Sequence, residues 1–261
     1  MTSLIIGATG MLAMQLSVDV IANNIANLNT TGFKRQRPEF QDLLYQTEIL
    51  VGSATTAGGT VTASGAEFGT GVTIGSIYRI HEQGNVLKTG NNFDLALEGK
   101  GFFQIQRPGG GVVYSRAGSF QLGPLGTIVT SQGLTVQPGI TIPNDALEVT
   151  INDSGEVLAK IANQTAPLNV GQLQLAIFAN EAGLKALGDN LFEETAASGL
   201  PTVAAPGSTG VGTILQGFLE TSNVNMVSEI TALIAAQRAY EMNSKVVQTS
   251  DEMLSTLVST V

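Results

Sequence analysis

TSNVNMVSEITALIAAQRAYEMNSKVVQTSDEMLSTLV, residues 221–258, decides how the chain is organised. It contains neither Gly nor Pro, and Met226, Leu233, Tyr240, Val247, Leu254 and Val261 recur every seven residues, the spacing of a helical seam. The pattern predicts one long helix from about 223 to 258, roughly 50 Å at about 1.5 Å per residue. The positions four further on are Ile230, Gln237, Ser244, Asp251 and Val258, so half of the stripe is polar in its middle. A simple two-stranded coiled coil tolerates such positions poorly. Ala232, Ala235, Ala236 and Ala239 are small enough for backbones to approach closely, which suggests packing against several neighbours.

A partner is available at the other end of the chain. Leu4, Met11, Val18 and Ile25 form one heptad series and Gly7, Met14, Ile21 and Leu28 another, in a segment whose only charge before Lys34 is Asp19. A helix over 4–28 is predicted, weakened in its first turns by Gly7 and Gly10 at up to ~1 kcal/mol each relative to Ala. Two helices patterned in sevens at opposite ends point to an antiparallel or otherwise paired terminal module, with the rest of the chain inserted between them; simple packing on a globular body is the alternative. Ordering so long a helix costs backbone entropy that one seam hardly offsets. The termini are therefore expected to be weakly ordered in a free monomer and to fold when copies assemble.

Composition narrows the function classes. The 261 residues carry 12 Lys plus Arg against 21 Asp plus Glu, a net charge of −9, which argues against nonspecific binding to nucleic acid or to an anionic membrane. Charged residues are only 13% and Gly numbers 31, so a surface rich in uncharged polar groups is expected. The chain has no Cys, which excludes disulfides and thiolate chemistry. The first basic side chain, Lys34, follows the apolar run, unlike a cleavable signal. Asp19, Asn23, Asn24 and Asn27 interrupt that run, so no integral membrane segment is expected.

Between the ends, Asn27, Asn29, Thr30, Thr31 and Gly32 read as a helix-terminating turn. Lys34, Arg35 and Arg37 follow as the only basic cluster, either a solvated loop or a patch meeting acidic residues on a neighbouring copy. Residues 46–70 read as an extended arm or hairpin, with Leu50, Val51 and Val61 buried and Gly58 and Gly59 near the reversal. From Val72 the period becomes two. Strands are predicted at 72–80, 94–98, 101–106, 112–116, 119–122, 127–130, 146–151, 157–162 and 171–178, with turns at PGGG 108–111, GPLG 123–126 and NDSG 152–155. Phe103 and Ile105 should face one way, Phe102 and Gln104 the other. Residues 180–215 read as looping return chain. The fold class is thus α+β, with long terminal helices and a mainly β barrel or sandwich between them. The boundaries fall at 1–45, 46–70, 71–215 and 216–261.

Catalytic chemistry has little to stand on. His81 is the single histidine and reads as a surface or turn residue, so no His-pair metal site or His relay can be assembled. Glu193–Glu194 and Asp251–Glu252 are neighbours in sequence rather than opposed across a cleft. GSTGVG at 207–212 lacks the Lys-Ser/Thr end of a phosphate loop. No enzyme, cofactor or metal is expected. Arg238, in the apolar middle of the last helix, is expected to meet a carboxylate or backbone carbonyls at a packing contact.

NNIANLNTTGFKRQRPEFQDLLYQ at 23–46, TGNNFDLALEGKGFFQIQ at 89–106, YSRAGSFQL at 114–122, VGQLQLAIFAN at 170–180, NLFEETAASG at 190–199 and the stretch from ILQGFLE at 214 onward together resemble the bacterial flagellar rod and hook family, nearest its distal-rod branch. Asn23, Asn24, Asn27, Asn29, Thr30, Thr31, Gly32 and Phe33 match its N-terminal signature; Ser222, Asn223, Val224, Gln237, Arg238, Ala239, Tyr240 and Asn243 match its C-terminal one. GPLG at 123–126 departs from the more polar turn of relatives. The resemblance implies a structural homo-oligomer of the basal body, exported by the flagellar type III apparatus without a cleaved signal and spanning the periplasm as a stiff helical tube. Terminal helices would line its core, and its partners would be proximal rod proteins below, hook protein above and the surrounding P and L rings. It also implies that the arm stiffens the tube. A proximal rod or hook subunit, or an adhesive β domain on a helical stalk, is the competing reading.

Overall fold

The computed structural model describes residues 2–49, 65–162 and 166–259. Its architecture is α+β. Helix α1 spans Thr2–Ala26 and helix α2 spans Met226–Ser259, with the strands between them in sequence. Contacts divide the chain into two compact units. Unit 1 holds Met1–Ile25, Gln36–Tyr78 and Asn225–Val261, and unit 2 holds Ala26–Arg35 and Arg79–Val224. The chain thus passes four times from one unit to the other, and both signature segments straddle such crossings.

Unit 1 is the helical one. Asn225 caps α2, its Oδ1 accepting from Ser228 N at 3.2 Å, which satisfies one of the orphan N–H groups of the first turn. The helices run antiparallel. A Cβ placed on Gly7 would lie 2.7 Å from Val247 Cγ2 and one on Gly10 2.8 Å from Asn243 Nδ2, whereas near the other end of α1 Asn24 Nδ2 donates to Glu229 Oε2 at 3.1 Å. By length and composition α1 would suffice to cross a membrane, with a mean hydropathy of 1.7. The apolar run is longer than the sequence reading allowed, because Asn23 and Asn24 lie in its last turn; its buried face is lined by Gly7, Ala13, Ser17, Val20, Ile21 and Asn24. Antiparallel ribbons complete the unit: Gln36–Asp42 pairs with Val72–Arg79, and Tyr45–Ile49 with Ala66–Gly69. Residues 50–64, where the arm's Leu50, Val51, Gly58, Gly59 and Val61 fall, lie outside the described residues.

Unit 2 is a β body. Its main sheet runs Lys185–Gly188, Leu191–Glu193, Val112–Ser115, Phe102–Gln106, Thr135–Val136, Ile128–Thr130 and Phe120–Leu122, with Leu175–Ile177 also pairing Phe102–Gln106 and bringing Thr202–Ala204 alongside. The pairings described within it are antiparallel. Alternation along Phe102–Gln106 works as expected. Phe103 enters one core, with Leu95, Leu97, Phe120, Ile128, Leu175 and Ile214 among its members, and Ile105 is buried, while Phe102 enters a second core with Tyr114, Phe178 and Phe192. A three-stranded sheet, Ala146–Ile151, Glu156–Ile161 and Leu168–Gln172, adds Val149, Ile151 and Val157 to the first core.

Several stretches differ from expectation: Gln36–Asp42, Val86–Lys88, Thr135–Val136 and Phe218–Glu220 are strands that the alternation did not predict. The strand predicted at 171–178 is two, Leu168–Gln172 and Leu175–Ile177, which pair in different sheets. The return chain, read as looping, contains Lys185–Gly188, Leu191–Glu193, Thr202–Ala204 and Thr213–Gln216. Each has only three or four residues, too short for a period of two to stand out against the surrounding Gly and Pro. Asp189 and Asn190 make the first of these hairpins, both at positive φ (53° and 59°), as a tight two-residue turn requires.

Candidate functional site

In each helix one predicted heptad series lies at the seam, and its mate is not the one expected. On α2 Leu233, Val247 and Leu254 are half-buried, but the series that joins them is three residues on: Glu229, Ala236, Asn243 and Ser250. Of the series four on, Ile230, Gln237, Asp251 and Val258 are exposed. On α1, Gly7 and Ile21 are buried together with Ala13, Ser17, Val20 and Asn24, Met14 and Gly10 are half-buried, and so are Leu4, Met11, Val18 and Ile25. The reason is size. Gly, Ser, Ala and Asn at facing positions let two backbones come close, and the bulky apolar residues then flank the contact instead of filling it.

Met226 and Tyr240 are exposed at their heptad positions, and Leu28 lies half-buried just past the end of α1. Tyr240 borders a groove of about 410 Å³ with Gln15, Val18, Gln237 and Glu241. Arg238 is not buried: its guanidinium donates to Glu241 Oε2 at 3.0 Å, one turn away on the same helix, with the side chain 74% exposed. Counted from Leu233 and Ala236 at the seam, Arg238 falls on the opposite side of the helix, where an apolar sequence neighbourhood does not mean burial.

The signature residues tie strands to helix ends. Asn24 binds Gln36 in both directions, Nδ2 donating to its carbonyl and Oδ1 accepting from its N–H, each at 2.9 Å. Together with Glu229 this satisfies a buried amide. Thr30 Oγ1 donates to Asn27 Oδ1 at 3.0 Å, closing the turn. Gly32 has φ +68°, donates its N–H to Glu220 O at 2.9 Å, and sits so close to Ala117 that a Cβ would approach the Ala117 nitrogen at 2.7 Å. Phe33 is buried beside it, Thr31 O accepts from Asn190 Nδ2 at 2.9 Å, and Asn23 and Asn29 are exposed. Asn223 accepts from Arg35 N at 2.7 Å and donates to the carbonyls of Ile80 and Glu82 at 2.9 and 3.0 Å.

Sequence reasoning missed a buried ionic cluster in unit 2. Lys34, read as part of a basic patch, is buried and donates to Glu220 Oε1 at 2.6 Å and to Glu82 O at 2.7 Å. Arg116 Nε donates to Glu220 Oε2 at 2.6 Å, and its other nitrogens reach the carbonyls of Gly101 and Gly99. Burial pushes the Glu220 carboxyl up, but the charges and hydrogen bonds of Arg116 and Lys34 together outweigh it and hold the group below the usual carboxylate value. For Lys34 burial dominates and lowers the ammonium, with Glu220 opposing. His81 is also displaced from its expected surface position. Its ring lies edge-on to Phe102 and Phe192, 5.7 and 5.8 Å between centroids. Burial first, then the charges of Lys34, Arg79 and Arg116, lower its imidazole to about 4, against a smaller upward pull from Glu220. Glu220 ends a strand of only three residues, Phe218–Glu220, too short for a period of two to single out the carboxylate in advance.

A histidine whose folded value is depressed contributes its full stability above about pH 6.5 and loses it as pH falls toward 4, because the unfolded chain takes up the proton first. Between pH 7 and 4.5 the protein is expected to lose on the order of 2 kcal/mol more than His81→Phe. Urea denaturation at the two pH values measures this, and parallel losses in both proteins would refute it.

An antiparallel helix pair from the chain's two ends, closely spaced and apolar on its outer faces, joined in sequence to a β body whose carboxylates bind its own cations, defines a structural, assembling class of protein. Comparison with known proteins makes the class specific. The chain matches the family models described as Flagella basal body rod protein over residues 4–34, Flagellar hook protein FlgE/F/G D1 domain over 96–159 and Flagellar basal body rod FlgEFG protein C-terminal over 215–260. It is 57% identical to the flagellar basal-body rod protein FlgG of Caulobacter vibrioides, covering 97% of each chain. It is 52% identical to FlgG of Agrobacterium fabrum, over 98% of this chain and 97% of that one. Against FlgF of Caulobacter vibrioides the identity is 36%, over 96% and 94%. The chain belongs to the flagellar basal-body rod protein family. The gap between 57% and 36% within one organism sets it on the FlgG side, that of a structural subunit of the distal rod.

Proposed function

We propose that the chain polymerises into a stiff helical tube that carries motor torque across the periplasm and encloses part of the flagellar export channel, without catalysing a reaction. The observation that carries this is the outer surface of the helix pair. Leu12, Val227, Ile234, Met242 and Met253 are each more than half exposed, and apolar surface on this scale marks an interaction face rather than a solvated one. The occupant is a second copy of this chain, since the helices of one protomer offer the same kind of surface to the next. Tyr240, Val18 and Gln237 line a groove on this surface, suited to a side chain from a neighbour. In this reading, proximal rod proteins lie below and the hook protein above. P and L ring proteins surround the tube, subunits leave through the type III apparatus without a cleaved signal, and the arm at 47–65 stiffens the lattice.

Met242→Glu together with Ile234→Asp places two carboxylates on that face without touching unit 2. Polymer recovered by sedimentation is expected to fall at least tenfold while the monomer keeps its circular dichroism; undiminished tubes by electron microscopy would overturn the proposal. An adhesive β domain would instead remain a discrete oligomer and capture a surface ligand.

A further inference from the structure

The buried charge of unit 2 does not balance. Lys34 and Arg116 both end on the single carboxylate of Glu220, with side chains 1%, 6% and 0% exposed, so two cations share one anion where an unneutralised charge is costly. The donors do not balance either. An ammonium has three N–H groups and a guanidinium five; Lys34 uses two and Arg116 three. Beside them His81 Nδ1 is buried with no hydrogen-bond partner in the protein. These groups meet around one cavity of about 50 Å³, bordered by Lys34, His81, Lys100, Arg116 and Glu181. Glu181 offsets part of the excess. Arg79, whose charge reaches His81, adds to it.

We propose that this cavity is a binding site for one small monovalent inorganic anion of chloride's size. The spare N–H groups of Lys34 and Arg116 and an Nδ1–H tautomer of His81 supply the donors, and Lys100 supplies charge at the rim. At about 10–15 Å³ per water centre, a space of about 50 Å³ has room for a halide with a few waters of its shell and excludes a large organic anion. Water would give His81 a partner but leave the charge unbalanced. No relative's name assigns a ligand here, and the inference stands apart from the rod reading.

An anion that binds only the folded state raises the unfolding temperature by mass action. Calorimetry of the full chain at constant ionic strength, with sodium gluconate replaced stepwise by sodium chloride, is expected to show a saturable rise of about 3–6 °C. Bromide should act like chloride. His81→Phe keeps the ring contacts without the Nδ1–H, and Lys100→Met changes an exposed rim residue; both should reduce the rise to less than about a third. Lys100→Met decides the matter if His81→Phe does not fold. No halide dependence would mean that water alone fills the cavity, and an equal dependence in both variants would mean that halide acts elsewhere. Either result overturns the proposal.

Discussion

Replacing Glu220 with Gln is expected to lower the unfolding free energy of the β-rich unit by about 3–5 kcal/mol, the range for breaking a buried ion pair from one side. The carboxylate is the shared terminus of Lys34 and Arg116, and Oε1 also accepts from the Gly84 N–H at 2.8 Å. Gln keeps the shape and one acceptor oxygen but leaves both cations facing an amide. Against a total stability of about 5–15 kcal/mol, such a loss leaves the unit marginal. Lys34→Met should cost less, because Glu220 then keeps Arg116 and Gly84, and one buried charge disappears together with its desolvation. Urea denaturation followed by circular dichroism ranks the two; a loss below ~1 kcal/mol for Glu220→Gln, or the reverse order, would contradict the account. The same geometry fixes the direction of the acid response. Since the Glu220 value is depressed in the folded state, its contribution is complete above the ordinary carboxylate range and is lost as pH falls through the depressed value.

What the sequence made legible is what repeats. Sevenfold spacing located both helices to within three residues at each end, and eight of the nine strands expected from twofold alternation are present to within two residues, whereas the shortest strands of the β body were not anticipated. The split of Phe102 and Phe103 between two cores followed from alternation alone. Contacts made once were not legible. Lys34 looks like one member of a basic run, and only the strand holding Glu220, 186 residues away in sequence, makes it a buried residue. His81 was isolated in sequence and is enclosed by Phe102 and Phe192, which arrive from separate strands. The α2 seam was misread for a related reason. A search for large apolar residues finds Leu233 and Val247 but passes over Glu229, Ala236, Asn243 and Ser250, whose value lies in smallness and in hydrogen bonding to α1. Arg238 was judged by the hydrophobicity of its neighbours along the chain, whereas its angular position on the helix decides its exposure.

That seam yields the second large effect. Gly10→Leu is expected to separate α1 from α2 and abolish tube formation while leaving unit 2 folded. On an isolated helix the substitution would be favourable by about 1 kcal/mol, because Gly is the poorest helix former after Pro. Packing reverses the sign. Even a Cβ at Gly10 would lie 2.8 Å from Asn243 Nδ2, and one at Gly7 2.7 Å from Val247 Cγ2. A whole Leu side chain forces the backbones apart, with an overpacking cost of about 1–3 kcal/mol, and also withdraws the close approach on which Ser17 and Ala236 depend. Separation along the seam also strains the Asn24–Glu229 hydrogen bond near the other end of α1. In a monomer that cost falls once, but in the proposed polymer every subunit repeats the distorted module, so a modest penalty per protomer becomes a failure to elongate. Ala8→Leu is the matched control, because Ala8 is exposed on the same helix and adds the same side chain away from the seam. Sedimentation of both variants beside the parent separates the explanations. Gly10→Leu should remain monomeric with an unchanged β-sheet signal while Ala8→Leu retains more polymer; equal polymer yields would show that close packing of Gly10 against Asn243 does not govern assembly.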